Sequence, residues 1–492
     1  MKPSFFLFAL VLGLNLHAQK TFQKAVGTAA DETAKWVELG NDPKTFVVCG
    51  NNGTAGSGIA MKFDETGSPI WTVEISESGT TTCNSIIRSA YESGYLICGN
   101  NSDKGVFAMK LKEDGQLVWK RFFNGVTQAQ RITKISDGYV VSGVLANPSS
   151  FFVAKINENG DLLWSTIQSA GSNEAGWSTI ERANGDLWCF GAGVGGGAVF
   201  YFDSNGNELG SQSVGGTGSE AMYFAETFPN GDIVCGDHSW SWPTGFYNYD
   251  AWVTKFSEGG NFLWSKTYAS KQSVLRGMMR PCSDDGLILA PTDYTTNTND
   301  GHLIKTDIDG NVEWAKSYGE SGNDRLVCAL EWPEGGFLAV GVTNSFGSGL
   351  NDFFIVKTNL DGTIGAGLGC TIKNFEVVVS DVFPEITDFS TFKTGQLSEV
   401  ANSGALKNVN SQVATLCESV PTTEVQPLAE PVGKVVFFNV LGQKIDEFYP
   451  GSTEDVELQF HQKLKSGVYF YCEYGKNGQL LQTKKAIAAG KN

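Results

Sequence analysis

One short phrase occurs seven times in this chain of 492 residues, and the repetition constrains the fold more than any other feature. A full copy contains an apolar run, a Lys, a turn that ends in Gly, and a closing Trp, as in His302 to Trp314. The closing residues, spaced 45 to 55 positions apart, are Trp71, Trp119, Trp164, Leu209, Trp264, Trp314 and Ile364. A period of about 40 to 50 residues built from short strands is typical of propeller blades.

The last repeat shows how one unit is expected to fold. We predict strands over residues 325–331, 337–342 and 353–358, with turns at 333–336 and 359–362. Gly at these turns supplies the positive φ that tight connections between antiparallel strands require. Because four meandering strands make one blade, the sequence predicts an all-β fold, a seven-bladed β-propeller of four-stranded blades over residues 19–369.

The N-terminal segment completes the ring in this interpretation. The seventh copy continues into residues 363–369, which are too rich in Gly to form a good fourth strand. The segment 21–26 is similar to the fourth strand that follows Trp314, but it has no blade of its own. We therefore predict that it pairs with the strand at 353–358, which hides two sheet edges at once.

The N-terminus and the charge predict an exported protein. Residues 1–18 have the form of a secretory signal peptide, with Lys2, an apolar stretch and a small-residue cleavage site at Ala18. That stretch is too short to span a bilayer, and we expect no transmembrane segment in the mature chain. The net charge of −17 argues against nucleic acid as a partner, because nucleic-acid binders concentrate Lys and Arg. We expect the protein to be secreted, or held at the outer cell surface, after passing through the periplasm.

The ten cysteines fall into two kinds. Four of them occupy the same place in four repeats and are expected to be buried thiols that act as small apolar side chains: Cys49, Cys98, Cys189 and Cys235. Cys370 and Cys417 instead bracket a stretch without the repeat phrase. We predict a disulfide between these two, consistent with an oxidising compartment.

Parts of the chain resemble known families. The phrases at residues 318–324 and 335–341 are similar to propeller repeats of exported proteins of the Bacteroidota. Residues 433–492 are similar to the type A C-terminal sorting domain of type IX secretion cargo. The residues that carry this second resemblance are Gly442, Gly467, Tyr469, Lys484 and Lys485.

The second resemblance implies a β-sandwich-like sorting domain and the type IX secretion machinery as a partner. An ordinary small immunoglobulin-like β-domain remains the alternative for this segment. Between the propeller and the sorting domain we expect a small β-rich appendage over residues 370–420 and a linker over 421–432.

A search for catalytic or cofactor motifs gives no candidate. The sequence has no His-x-x-x-His or Cys-x-x-Cys spacing for a metal and no Gly-x-Ser-x-Gly nucleophile turn. The Gly-rich run 191–197 lies between two expected strands with no helix after it, which does not fit a phosphate-binding loop. We therefore assign no catalytic residue and expect neither a metal nor a cofactor.

One loop is the candidate ligand site. Residues 237–250 form an insertion in the fifth repeat, expected between the second and third strands of its blade. Exposed aromatic side chains stack on sugar rings or on protein surfaces. The candidate residues are Trp240, Trp242, Phe246, Tyr247, Tyr249 and Asp250. The alternative is that these rings fold back to plug the ring or pack on a neighbouring blade.

These observations favour a binding or adhesion module, for glycans or proteins, without chemistry of its own. A secreted carbohydrate-active enzyme is the first alternative, since a propeller funnel can present a carboxylate pair. Such a pair would lie about 5 to 10 Å apart. A structural surface-layer component is the second alternative and requires nothing of the funnel.

Overall fold

The computed structural model describes residues 20–145, 150–169, 175–193, 195–242, 249–270, 275–293, 300–365, 372–401, 406–418, 432–439, 444–448, 467–475 and 480–488. The chain divides into two compact units, Met1–Pro421 and Thr422–Asn492. All regular structure in these ranges is β-strand. The described residues include no helix of the length and apolarity that a membrane span requires.

Seven antiparallel sheets form the predicted propeller in the first unit. We number the blades 1 to 7 along the chain and the strands of each blade from the inner first to the outer fourth. Blades 1 to 3 contain Glu32–Leu39, Thr45–Asn52, Ser57–Asp64 and Pro69–Ile75; Thr81–Arg88, Tyr95–Asn101, Gly105–Leu111 and Leu117–Asn124; and Gln128–Ile135, Gly138–Val144, Phe151–Ile156 and Leu162–Ser169.

The remaining blades repeat the same meander. Blades 4 to 6 contain Ala175–Glu181, Leu187–Gly193, Gly196–Phe202 and Glu208–Gly215; Glu220–Thr227, Ile233–Ser239, Asp250–Phe256 and Phe262–Ala269; and Leu275–Pro281, Leu287–Asp293, Gly301–Thr306 and Val312–Tyr318. Blade 7 contains Asp324–Glu331, Phe337–Thr343 and Asp352–Thr358. Its fourth strand comes from the other end of the unit.

The N-terminal strand Phe22–Gly27 is that fourth strand, as predicted. It pairs antiparallel with Asp352–Thr358, so that Phe22 lies opposite Lys357 and Val26 opposite Phe353. The segment is fully buried, and the chain therefore closes the ring by joining its first strand to its last blade. This closure removes two open sheet edges that would otherwise face water.

The repeated Trp joins each blade to the next. In five blades its indole N–H donates to a backbone carbonyl in the following blade, as Trp71 does to Glu113 at 3.0 Å and Trp314 to Leu360 at 3.0 Å. The turn Gly of the following blade lies against the same ring. The residue must be Gly because a side chain at that position would collide with the indole. The Trp is thus a packing residue between blades.

The fourth blade departs from the predicted register by one residue. Gly210 lies opposite Tyr201, in the place where other blades set Trp opposite Lys. The repeat pattern predicted Leu209 at the position of the Trp, but Leu209 is instead 57% exposed. Trp188 of the same blade covers the next turn Gly, Gly260, and supplies the missing indole from the second strand.

A fifth strand on every blade comes from the segment expected to be an appendage. Its seven strands run once around the outside of the ring, on blades 6, 5, 4, 3, 2, 1 and 7 in turn. We call this segment the belt: Ile372–Asn374, Val378–Asp381, Glu385–Phe389, Phe392–Gly395, Ser398–Ala401, Lys407–Asn408 and Gln412–Glu418. The β-rich character is as expected, but the placement differs. Strands of two to seven residues cannot enclose a core, so they pair with the open outer edges of the blades.

The belt is fastened by ion pairs and by a covalent bond. Lys266 lies 2.5 Å from Asp381, and Arg121 lies 3.0 Å from Glu399. Cys417, in the last belt strand, is disulfide-bonded. Its predicted partner Cys370 lies outside the described residues.

The core of the propeller lies between the blades, where apolar side chains of neighbouring sheets interdigitate. The four repeat cysteines are buried there as free thiols, as predicted. Burial raises the pKa of the Cys98 thiol far above its usual value, so it stays protonated. These side chains act as small apolar residues.

The second unit contains one four-stranded antiparallel sheet. Its strands are Val432–Asn439, Lys444–Phe448, Gly467–Gly475 and Leu480–Ala488, and the second of these lies at one edge. Gly467 begins the third strand, Tyr469 pairs with Ala486, and Lys484 and Lys485 lie in the last strand. Gly442 falls outside the described residues.

Candidate functional site

The inner strands of six blades carry β-bulges, and the bulges place side chains in the central channel. A bulge leaves a residue without a partner in the neighbouring strand and redirects its side chain. The unpaired residues are Lys35, Asn84, Gln130, Trp177, Met222, Tyr223 and Val327. All but Met222 line one cavity of about 450 Å³.

This cavity lies toward one face of the propeller. Asp237 and Thr292 contribute to its wall, and both stand near the ends of second strands, next to the loops that lead to the third strands. We call this face the loop face. The loop-face funnel is then the cavity lined by Lys35, Asn84, Gln130, Trp177, Tyr223 and Asp237.

An aromatic series runs from the funnel to the candidate loop of blade 5. Trp177 and Tyr223 are stacked, with ring centroids 4.1 Å apart and planes 14° from parallel. The edge of His238 meets Tyr223 at 6.0 Å, and Tyr249 meets His238 at 5.5 Å. Trp240 meets Tyr249 at 4.5 Å in an edge-to-face contact. The loop predicted from sequence is therefore connected to the funnel by ring contacts.

The candidate loop residues have different environments. Trp240 is exposed, with 43% of its surface accessible, whereas Trp242 is partly buried against Trp252 of the blade core. Asp250 is buried at the start of the third strand, opposite Ser239. Phe246 and Tyr247 lie outside the described residues. Trp240 is thus the described ring of this loop that is exposed to solvent, and Trp242 is partly a packing residue.

A plug of three side chains closes the floor of the funnel. Trp36 contacts two guanidinium groups, with Arg131 at 4.7 Å and Arg280 at 4.9 Å from its ring centroid. Arg131 donates to Ser178 Oγ at 2.7 Å and to the Ala225 carbonyl at 3.0 Å. Cation–π stacking of this kind is strong where water is excluded.

Carboxylates on the far side of the plug neutralise both arginines. Glu226 pairs with Arg131 and lies 3.8 Å from Arg280, and Glu38 lies 3.5 Å from Arg280. Burial disfavours the charge of Arg280, but the two carboxylates outweigh it and raise the pKa of the guanidinium. The second cavity, of about 460 Å³, lies beyond the plug toward the opposite face. We call that face the turn face.

The acid–base groups of the loop-face funnel are few. Its described lining contains one carboxylate, Asp237, and Nδ1 of His238 lies 2.5 Å from an oxygen of that group. The described lining therefore lacks the carboxylate pair that the glycosidase alternative requires. Within the described ranges, no three His, Cys, Asp or Glu side chains are grouped as a metal site.

Sequence reasoning missed most of the funnel. It selected the long loop of blade 5 but not the bulge residues, which stand at equivalent places in successive repeats. Aligning first strands from different repeats, such as those holding Lys35 and Asn84, would have shown a column without a common residue type. In a repeat protein such a column marks a position that is not fixed by the packing common to all units.

The site and the fold define a seven-bladed β-propeller with a polar and aromatic funnel on one face. No protein-family model matches the chain, and no curated protein is found to be similar to it. Among solved structures, Sqt1 from Chaetomium thermophilum has 11% sequence identity and a TM-score of 0.40, covering 70% of this chain and 85% of that one. A putative gluconolactonase has 10% identity and a TM-score of 0.32, covering 72% of this chain and 94% of its own.

A puromycin hydrolase is similar at the same low level, with 10% identity and a TM-score of 0.29. The match covers 64% of this chain and 59% of the hydrolase. Similarities this low carry no argument about activity. The propeller assignment rests on the strand pairing of the chain itself.

Proposed function

We propose that the protein is a binding module whose loop-face funnel holds a sugar ring against Trp177 and Tyr223. The observation that carries the proposal is this stacked pair, half-buried in the wall of a cavity in the propeller centre. Each ring of the pair uses one face on the other, so a sugar can pack its apolar face on an outer face of the pair, and one such stack contributes about 1 to 3 kcal/mol by analogy with bases.

Polar groups beside the aromatic wall support the proposal. Asn84 and Gln130 line the same cavity, and amide side chains both donate and accept hydrogen bonds, as sugar hydroxyls require. Asn84 Nδ2 donates to the Ala129 carbonyl at 2.7 Å, which fixes the orientation of that amide. Oriented polar groups beside aromatic side chains are the groups that fix a ligand in a concave site.

The test is a glycan array on the purified protein, followed by titration of the best ligand. We expect Trp177→Ala to weaken binding at least tenfold, since 1.4 kcal/mol is a factor of ten, and to lower the thermal midpoint only by the loss of its stack on Tyr223. Trp188→Ala is the matched control from the same blade. Trp188 covers Gly260 in the next blade, so its loss should lower the midpoint and leave the affinity unchanged.

Two results would contradict the proposal. One is an array without any bound glycan, and the other is a Trp177→Ala variant with unchanged affinity. Trp240→Ala extends the test to the candidate loop. If the aromatic series continues the site, this variant also weakens the ligand, whereas Trp242→Ala mainly lowers stability.

We also propose that residues 433–492 direct the protein to type IX secretion, and that the propeller is one of the exported repeat proteins of the Bacteroidota. The support is the resemblance in sequence, together with the separation of Thr422–Asn492 as its own compact unit. The disulfide at Cys417 is consistent with an oxidising compartment. The protein would then be secreted or held at the outer surface.

Deletion of residues 433–492 tests the export proposal. We expect the shortened protein to fold and to accumulate in the periplasm, because the sorting resemblance lies wholly in the deleted segment. A Lys484→Ala, Lys485→Ala double variant tests the basic pair within the full chain. Normal appearance of the deletion variant outside the cell would contradict the assignment.

A further inference from the structure

We propose that the ligand of the loop-face funnel is an acidic sugar, such as a uronic acid, and that Lys35 binds its carboxylate. The proposal rests on the proposed function and names the class of sugar. It is based on the position of Lys35 in the funnel, on the absence of an ion pair for it among the described residues, and on the contrast with the other lysines of the repeats.

Lys35 extends from the bulge of the first inner strand. Ala34 pairs with Gly50 and Trp36 with Cys49, so Lys35 has no partner across the sheet and lines the funnel. Its side chain is exposed to the cavity, where Asn84 and Trp177 also stand. A carboxylate on a ring stacked at Trp177 would therefore share one cavity with an ammonium group.

No protein carboxylate in the described part of the chain forms an ion pair with Lys35. The partly enclosed site lowers the pKa of Lys35, because burial disfavours the charged form and the Cys49 thiol offsets this effect only in part. Asp237, the carboxylate of the described lining, is held by His238. An incoming carboxylate would supply the missing counter-charge.

The lysines of the repeat phrase behave in the opposite way. In five blades the third-strand Lys lies against a carboxylate: Lys62 with Glu113, Lys110 with Glu158, Lys155 with Asp137, Lys255 with Asp232 and Lys305 with Asp284. In a chain with a net charge of −17, acidic partners are abundant. A cation that stands without one in the central cavity is therefore suited to an external anion.

Uncharged amides around Lys35 fit the same ligand. Asn84 and Gln130 do not compete for the ammonium as a carboxylate would, and they can bind ring hydroxyls. Arg131, at the funnel floor, already donates to Ser178 and to the Ala225 carbonyl. Lys35 is thus the basic group of the funnel that is available to a ligand.

The experiment compares acidic oligosaccharides with their methyl esters, which keep the ring and remove the charge. Oligogalacturonate and its methyl ester are the first pair, printed with other uronate pairs and with neutral glycans. We expect the wild-type protein to prefer the acid at least tenfold. Lys35→Met should abolish the preference and Lys35→Arg should retain most of it. Lys44→Met, an exposed lysine in the same blade, is the matched control.

The possible outcomes separate the two proposals. Equal binding of acid and ester, or an unchanged preference in Lys35→Met at an unchanged thermal midpoint, overturns the role of Lys35 and leaves the sugar-binding funnel standing. Loss of every glycan signal in the wild-type protein overturns both. The preference should also fall as pH rises through the lowered pKa of Lys35, because a neutral amine does not attract a carboxylate.

Discussion

The loop-face and turn-face halves of the central channel are built from the same inner strands, but their basic side chains differ in whether a carboxylate pairs with them. On the turn face, Arg131 and Arg280 are matched by Glu226 and Glu38. On the loop face, Lys35 has no such partner among the described residues, and Trp177 and Tyr223 stand at the cavity wall. We therefore expect the turn-face half, with its paired arginines, to stabilise the ring, and the loop-face half, with Lys35 and the aromatic pair, to bind a ligand. Predictions that separate stability from binding test this division.

The largest expected loss of stability comes from breaking the plug. Glu226→Gln leaves two arginines without their shared carboxylate. Removing one partner of a fully buried ion pair costs about 3 to 5 kcal/mol, which is the upper bound for this partly buried pair. Denaturant unfolding measures this change. Glu258→Gln, an exposed carboxylate in the same blade, should stay within about 0.5 kcal/mol of the wild type. Equal stability of the two variants would mean that the plug does not hold the ring.

The belt should have a somewhat smaller effect, also on stability alone. Cys417→Ser removes the disulfide of the last belt strand, and the loss of such a bond costs about 2 to 4 kcal/mol. A reductant should lower the thermal midpoint of the wild type and leave that of the variant unchanged. Ligand affinity should be the same in both. A reductant effect of equal size in the variant would assign the stabilisation to another group.

The third-strand lysines of blades 6 and 7, Lys305 and Lys357, occupy equivalent positions, but the first has a carboxylate partner and the second has none within the described part of the chain. Lys305 is held by Asp284 at 2.8 Å, and this pairing raises its pKa against the effect of burial. Lys357 donates to the Glu65 carbonyl at 3.0 Å and lies 4.0 Å from the centroid of the Trp332 ring. Burial lowers the pKa of Lys357 to about 8.

The sign of the pH effect follows from these pKa values. Between pH 8 and the unfolded pKa of about 10.4, folded Lys357 has lost its proton while the unfolded chain keeps it, so the contribution of Lys357 to stability rises with pH. The rise is at most about 3 kcal/mol. The pKa of Lys305 is raised in the folded protein, so its ion pair stabilises the fold at every pH below the pKa of the unfolded chain. That stability is lost only as the pH rises through the raised pKa of the folded protein. The unfolding free energy of the wild type minus that of Lys357→Met should therefore increase between pH 7.5 and 10, whereas the wild type minus Lys305→Met should stay constant over that range; taking differences cancels the buried thiols, whose raised pKa values act in the opposite direction.

The sequence predicted the blades because each one repeats the same local signals. Turn glycines and the inter-blade Trp act within one repeat or its neighbour. The closing strand at Phe22 pairs with residues more than three hundred positions away, but it was predicted because its sequence is similar to the fourth strand of the repeat. The register error at Leu209 arose because a Gly replaced the Trp that marks the strand. A sequence repeat thus predicts the interactions that recur in every blade. It predicts the wrong register in a blade such as the fourth, where the Trp that identifies the strand is replaced.

The belt and the funnel were not predictable in the same way. A belt strand such as Lys407–Asn408 is too short to show alternation, and its partner Glu74 is more than three hundred residues away in the chain. The funnel depends on bulges, whose position is set by the pairing of two strands rather than by a residue type. Lys35 and Trp177 therefore do not stand out in the sequence, whereas the aromatic loop at Trp240 does.

Hydrogen–deuterium exchange with and without the glycan that binds most tightly tests the division of the channel most directly. Bulge residues lack a ladder partner, so their surroundings should exchange readily in the free protein and become protected by a ligand. We predict protection of inner-strand peptides around Lys35, Asn84 and Gln130, with no change at the turn-face residues near Ser283, which lines the second cavity. Protection confined to the turn face, or to the outer belt, would contradict a ligand site in the loop-face funnel.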